Sequence, residues 1–245
     1  MCITPLNDEL SKDNVFVDNE MQDALKKVRL ISRLTKSGLK KRSGDTISHL
    51  LYCLLVWPLI EKASLSAFCG KFIESYIVGK IGTLYDFLKR QDINWRKMAC
   101  NTAKEIATKQ NLHHDEDACF VIDDSIKQRR GKYVEGVSSH FDHTSRKHVM
   151  GHQMLQLVLS TDKGALPIDQ QIYVSNKRVQ ERRTGFKDNR SAVAKDYESA
   201  IKENKNEMFR NMIARAKKLG FYASIFSRTL GLAIKRTLKQ SLTLE

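Results

Sequence analysis

The stretch FVIDDSIKQRRGKYVEGVSSHFDHTSRKHVMGHQMLQLVLSTDKGALPID, residues 120–169, decides the fold. It continues the apolar run Ala118-Cys-Phe-Val-Ile122, which leads directly into Asp123 and Asp124. A short β-branched and aromatic run that gives way to acids reads as a buried strand ending at Ile122. From Val149 to Ser160 the residues are again strand-like, Thr161-Asp-Lys-Gly164 reads as a hairpin turn, and Ala165 to Val174 supplies the returning strand. After a charged segment, Ser175 to Arg190, one long helix is expected from about Ser191 to Leu219, closed by Gly220. Phe221-Tyr-Ala-Ser-Ile-Phe226 begins a further strand. The predicted order is strand, strand, strand, helix, strand: an α/β (α+β) arrangement with three mainly antiparallel strands, a long helix and the start of a fourth strand.

Before this region the pattern is helical. Met21 to Leu39 mixes Leu, Val and Ile with Lys and Arg at helical spacing, and Gly44-Asp45-Thr46 supplies a stop and a new N-cap. Further helices are expected at Thr46 to Trp57, Ser64 to Glu74, Thr83 to Arg90 and Asn94 to Lys109. The polar stretch Asn111-Leu-His-His-Asp-Glu-Asp117 then marks a boundary. This gives a helical domain over 1–110, a mixed domain over 111–226 and a tail over 227–245. A small basic helical domain reads as DNA-binding, although a bundle with no such role looks the same in sequence.

Composition narrows the partners. Lys and Arg outnumber Asp and Glu by 42 to 28, a net charge of +14 that favours a polyanion, and 41% hydrophobic residues argue against wholesale disorder. Cys2, Cys53, Cys69, Cys100 and Cys119 form no C-x-x-C pair, so neither a disulfide framework nor a zinc knuckle is indicated. The N-terminus has no signal-peptide pattern, and the apolar run Leu50 to Ile60 is too short to cross a bilayer and contains Pro58. A cytoplasmic protein with no membrane partner is expected.

An acid at the tip of a buried strand is costly unless it is paired, hydrogen-bonded or metal-bound, but an Asp there is more often a turn cap. Context decides between the two. Asp124-Ser125, Arg130-Gly131-Lys132, Gly151-His152 and Leu166-Pro167, with Ile93-Asn-Trp-Arg-Lys97 upstream, resemble the DDE transposases of bacterial insertion sequences over roughly residues 45 to 226. The resemblance implies an RNase H-like catalytic domain, of which this chain carries the first half. It implies Asp124, rather than Asp123, as first catalytic acid and metal ligand, with Mg²⁺ or Mn²⁺ as cofactor. It also implies transposon-end and target DNA as partners, self-association or association with a full-length transposase, and a nucleoid location.

Lys127, Arg129, Arg130, Lys132, Arg146, Lys147 and His152 lie in or beside the loops next to Asp124, where they are expected to contact DNA phosphates rather than bases. His140, His143, His148 and His152 match no standard zinc spacing.

The family pattern also requires a second Asp after the helix and a later Glu. From Ser227 the chain reads SRTLGLAIKRTLKQSLTLE, with no Asp, and Glu245 has no helix-forming context. Reading the third base of each codon with the first two of the next from Ile225, synonymous codons permit FLADAWFGNKENIKTVIDAG, which restores the family's Asp and Trp-Phe in register after Ser224. The tail is therefore expected to be out of frame and the chain catalytically incomplete. Two rival expectations stand beside this: a DNA-binding regulator of transposition, and a metal-dependent nuclease completed by Asp142 and Asp169.

Overall fold

The computed structural model describes residues 20, 22–40, 43–60, 64–113, 117–131, 133–177 and 186–227. Lys132 and residues 228–245, and with them all but the first residue of the expected tail, lie outside these. The chain divides into two compact units, 1–93 and 94–245.

The first unit is helical, as its spacing predicts. Helix α1 spans Leu30–Lys36, α2 Ile47–Ile60, α3 Leu65–Phe72, extended by a 3₁₀ turn Ile73–Ser75, and α4 Ile81–Leu88. Residues 22–27 are helical too, but the single helix expected from Met21 to Leu39 is broken at Arg29, which sits in the left-handed region at φ 53. Thr46 caps α2 by accepting from the His49 N–H at 3.3 Å. Its neighbour Asp45 instead accepts from the Val78 and Gly79 amides, at 2.8 and 2.9 Å. A Cβ at Gly79 would meet that carboxylate at 2.4 Å, so this cross-link requires glycine. Pro58 falls in the last turn of α2, where it removes one hydrogen bond without ending the helix early. Leu34, Leu50, Cys53, Phe68, Leu84 and Phe87 form the core. Among the described residues no single helix is long and apolar enough to cross a membrane.

The second unit begins earlier than the polar stretch at 111–117 suggests. Helix α5, Trp95–Lys109, belongs to it and packs on its sheet through the small residues Cys100, Ala103 and Ala107. Small side chains at i, i+3 and i+7 let a helix lie close to strands. The sheet has strands β1 Cys119–Gln128, β2 Ser138–Asp142, β3 Lys147–Thr161, β4 Gly164–Tyr173 and β5 Ser224–Ser227. β3 pairs antiparallel with β1 along one edge, and with β2 and β4 in succession along the other. β5 joins the far side of β1 in parallel. The strand over Ser138–Asp142 carries no strand pattern in the sequence, because SSHFD is mostly polar.

The one long helix expected between β4 and β5 is two helices, α6 Ala192–Lys202 and α7 Lys205–Lys218. Glu203 is extended at φ −84, ψ 141, and Asn204 opens α7 with a reciprocal capping box to Glu207. Both helices and α5 cover one face of the sheet. Beneath them Phe120, Ile122, Leu155, Leu157 and Leu159 meet Met208, Phe209, Met212 and Ala216 in a continuous core. This α+β sheet with helices on one face, a parallel strand beside β1 and β1 flanked by an antiparallel hairpin, has the RNase H-like arrangement expected from the sequence.

Candidate metal and nucleic-acid site

β1 does not end at Ile122. Its long partner β3 continues the ladder, so that Asp123 stands opposite Gln156, Asp124 opposite Leu155 and Gln128 opposite Gly151. Strand alternation then separates the two acids. Asp124 shares the helix-covered face with Phe120 and Ile122 and is partly buried, whereas Asp123 is exposed on the other face. One Asp123 carboxylate oxygen accepts from the Asp124 N–H at 2.9 Å.

Asp124 stands where the apolar core gives way to polar residues. Its Oδ2 accepts from Gln153 Nε2 and from Lys205 Nζ, each at 2.8 Å. Gln153 is 3% exposed and lies on the same face of β3 as Leu155 and Leu157. Lys205 is the first residue of α7 and also lies over the Tyr173 ring, 5.4 Å from its centroid. His140, buried on β2, completes the cluster. Its Nε2 lies 2.8 Å from Ser138 Oγ. Burial, with the Lys205 charge second, holds its imidazole below the usual histidine range.

Of these residues the sequence marks only Asp124 as catalytic. Gln153 has a signal, a polar residue on the apolar phase of a strand. Lys205 has one in the Asn204-x-x-Glu207 pattern that breaks the helix and starts α7 beside the sheet.

The expected DNA-contact residues fall into two groups. Lys127 lies exposed on β1 opposite His152 of β3, and Arg129 and Arg130 follow the strand. Arg129 Nε donates to His152 Nδ1 at 3.4 Å while His152 Nε2 lies 2.8 Å from the Glu135 carbonyl. A carbonyl only accepts, so the His152 proton sits on Nε2. Lys127 is three residues beyond Asp124, about 10 Å along the strand. Arg146, at φ 52, and Lys147 form the second group at the turn of the β2–β3 hairpin, which Asp142 caps by accepting from Thr144 N and Ser145 Oγ.

Asp169 is not part of the Asp124 cluster. Its buried carboxylate accepts from Arg215 Nε at 2.7 Å and lies 3.7 Å from Arg96, which in turn pairs with Asp196 at 2.8 Å. That network ties β4 to α5, α6 and α7. With Asp142 engaged in a turn and Asp169 sealed by two arginines, neither completes a site with Asp124.

Asp124 fits one position of a divalent-metal site. It is a hard oxygen ligand, partly open, and its Oδ2 already holds a cation, Lys205. Among the described residues no three His, Cys, Asp or Glu side chains converge to hold a metal ion.

The family model described as DDE superfamily endonuclease matches residues 76–224. No individual curated protein matches the chain. Members of this superfamily act on DNA and typically use divalent metals. With Asp124 at the core edge of a strand flanked by an antiparallel hairpin and a parallel neighbour, and with the match spanning more than half its residues, the chain belongs to the DDE superfamily of endonucleases.

Proposed function

We propose that this chain is part of a bacterial insertion-sequence transposase, carrying the first catalytic aspartate, Asp124, and a DNA-contacting basic surface, but not the acids that complete the site. The observation that carries this reading is Asp124 itself: a carboxylate on the core face of the central strand, held by Gln153 and Lys205 within the family-matched segment. When bound, divalent metal activates a water or 3′-hydroxyl and stabilises the leaving oxygen. Asp124 would be one ligand, with Gln153 fixing its rotamer. Lys127, Arg129, Arg130, Lys132, Arg146, Lys147 and His152 would neutralise the DNA backbone of transposon ends or target, with little sequence readout.

The tail sequence supports an incomplete site. The permitted shifted-frame sequence carries its Asp at position 228, whereas residues 228–245 as translated contain no Asp. The nucleotide sequence across codons 220–245 tests this directly. A shifted frame that reads through Asp-Ala-Trp-Phe to a Glu-bearing helix is expected, and stops without that motif would refute it. Purified chain with Mg²⁺ or Mn²⁺ should bind DNA without cutting or joining it.

A second reading follows from the same basic surface: a chain that binds DNA without cleaving it would occupy transposon ends and block a complete transposase. Gel shifts with transposon ends, alone and with full-length enzyme, separate the two, since absence of end-specific binding dismisses the regulator. Both readings imply a cytoplasmic, nucleoid-associated protein that meets either its own copy or the full-length enzyme.

A further inference from the structure

The β2–β3 hairpin carries a cluster of aromatic rings that lies outside the sheet core. We propose that this hairpin is a stacking platform for the unpaired bases of single-stranded DNA, whose phosphates are held by cations at its two ends. The proposal rests on the reading of Lys127, Arg146 and Lys147 as DNA-backbone contacts and adds what lies between them.

Strand parity places the platform. Phe141 of β2 stands opposite His148 of β3, and Lys127 of β1 opposite His152. His148, Met150 and His152 alternate with the buried Gly151, Gln153 and Leu155, so they and their cross-strand partners lie on the face of the sheet turned away from the helices. On that face Phe141 is 43% exposed and Met150 37%. His143 and His148 approach the Phe141 ring with centroids at 5.0 and 5.4 Å and interplanar angles of 81° and 69°, so neither imidazole stacks parallel on it. A single exposed apolar side chain is ordinary, but three rings beside a methionine form a polarisable patch suited to the face of a base.

Charge selects a nucleic acid among flat ligands. Arg146 and Lys147 stand at the turn of the hairpin, and Lys127 and Arg129 lie at the level of His152, about 13 Å along β3 from His148. Among the described residues Lys127, Arg146 and Lys147 form no ion pair, and the nearby Asp142 carboxylate is engaged by Thr144 and Ser145. A duplex hides its base faces within its own stack, whereas a single strand can lay a base on the rings while its phosphates meet the cations on either side.

Fluorescence anisotropy of the full chain with a labelled oligo-dT single strand, and with a duplex of the same length, tests this. Phe141→Ala should weaken oligo-dT binding about tenfold, as expected for loss of one stacked base, and should change duplex binding by less than about twofold. It should leave the salt slope of oligo-dT binding unchanged, whereas Arg146→Gln with Lys147→Gln should lower that slope. Phe141→Trp should restore oligo-dT affinity. Phe141→Leu keeps most of the apolar volume without the aromatic plane, should behave as the Ala variant does, and carries the test if that variant fails to fold by circular dichroism. Unaltered oligo-dT affinity in both the Ala and Leu variants, or equal losses on single strand and duplex, would overturn the stacking platform and leave the backbone-contact reading intact. Binding of neither DNA by the unaltered chain would remove both.

Discussion

Asp123 and Asp124 are adjacent in β1 and face opposite sides of the sheet, so chemistry available to one is closed to the other. The family resemblance points to Asp124, which lies two residues beyond the buried Ile122 on the same face of β1. What the sequence could not convey is its company. Gln153 is 29 residues away and Lys205 81, and their meeting depends on sheet register and on where a helix begins. In the sequence His140 matches no metal-ligand spacing and carries no assigned role, yet it is a buried side chain whose folded pKa lies below the ordinary 6.5. Below pH 6.5 the unfolded chain therefore binds more protons at this residue than the folded one, and stability falls as pH drops from 6.5 towards the folded value. Urea unfolding at about pH 7.5 and about pH 5.5 should show this loss, and His140→Gln should reduce it. An identical loss in the variant would assign the pH dependence to other groups.

Two element-scale features position the site. The α6–α7 break sets Lys205 at a helix start, and the Asn204 cap with Glu207 holds that start. Asn204→Ala should cost about 1 kcal/mol in denaturant unfolding. Gly151, part of the Gly-His motif, lies where β3 approaches β1 so closely that a Cβ would sit 2.5 Å from the Lys127 carbonyl oxygen. Gly151→Ala should therefore destabilise the domain by about 1–3 kcal/mol, measured the same way, by forcing the ladder apart. A neutral effect would mean that the strands separate locally at little cost. In the network joining β4 to the helices, Asp169→Asn should cost about 3 kcal/mol, because it leaves Arg215 facing a buried neutral group. The hairpin turn, the returning strand and most helices were legible as local patterns. The α6–α7 break was legible in principle, since Asn-x-x-Glu is a helix-start pattern, but an amphipathic stripe continuing across it hides the stop.

At the scale of the molecule, a net charge of +14 does not by itself say where DNA would lie. The fold gathers Lys127, Arg129, Arg130 and His152 at one end of β1 and sets Arg146 and Lys147 apart at a hairpin turn. If the first group contacts phosphates, replacing Lys127, Arg129 and Arg130 by Gln should weaken DNA binding. It should also reduce the slope of log K against log salt by about 0.9 for each phosphate no longer neutralised. An unchanged slope would make this group a solvated surface. The sequence by itself determined the α+β class, the hairpin and the family, because hydrophobic phase, turn residues and short motifs are local in the chain. Only the tertiary structure decided that α5 belongs to the unit that holds the sheet, that Asp169 is a structural acid and that Lys205 faces Asp124. Each of these depends on which distant segments share a face, and that is fixed by packing rather than by neighbours in sequence.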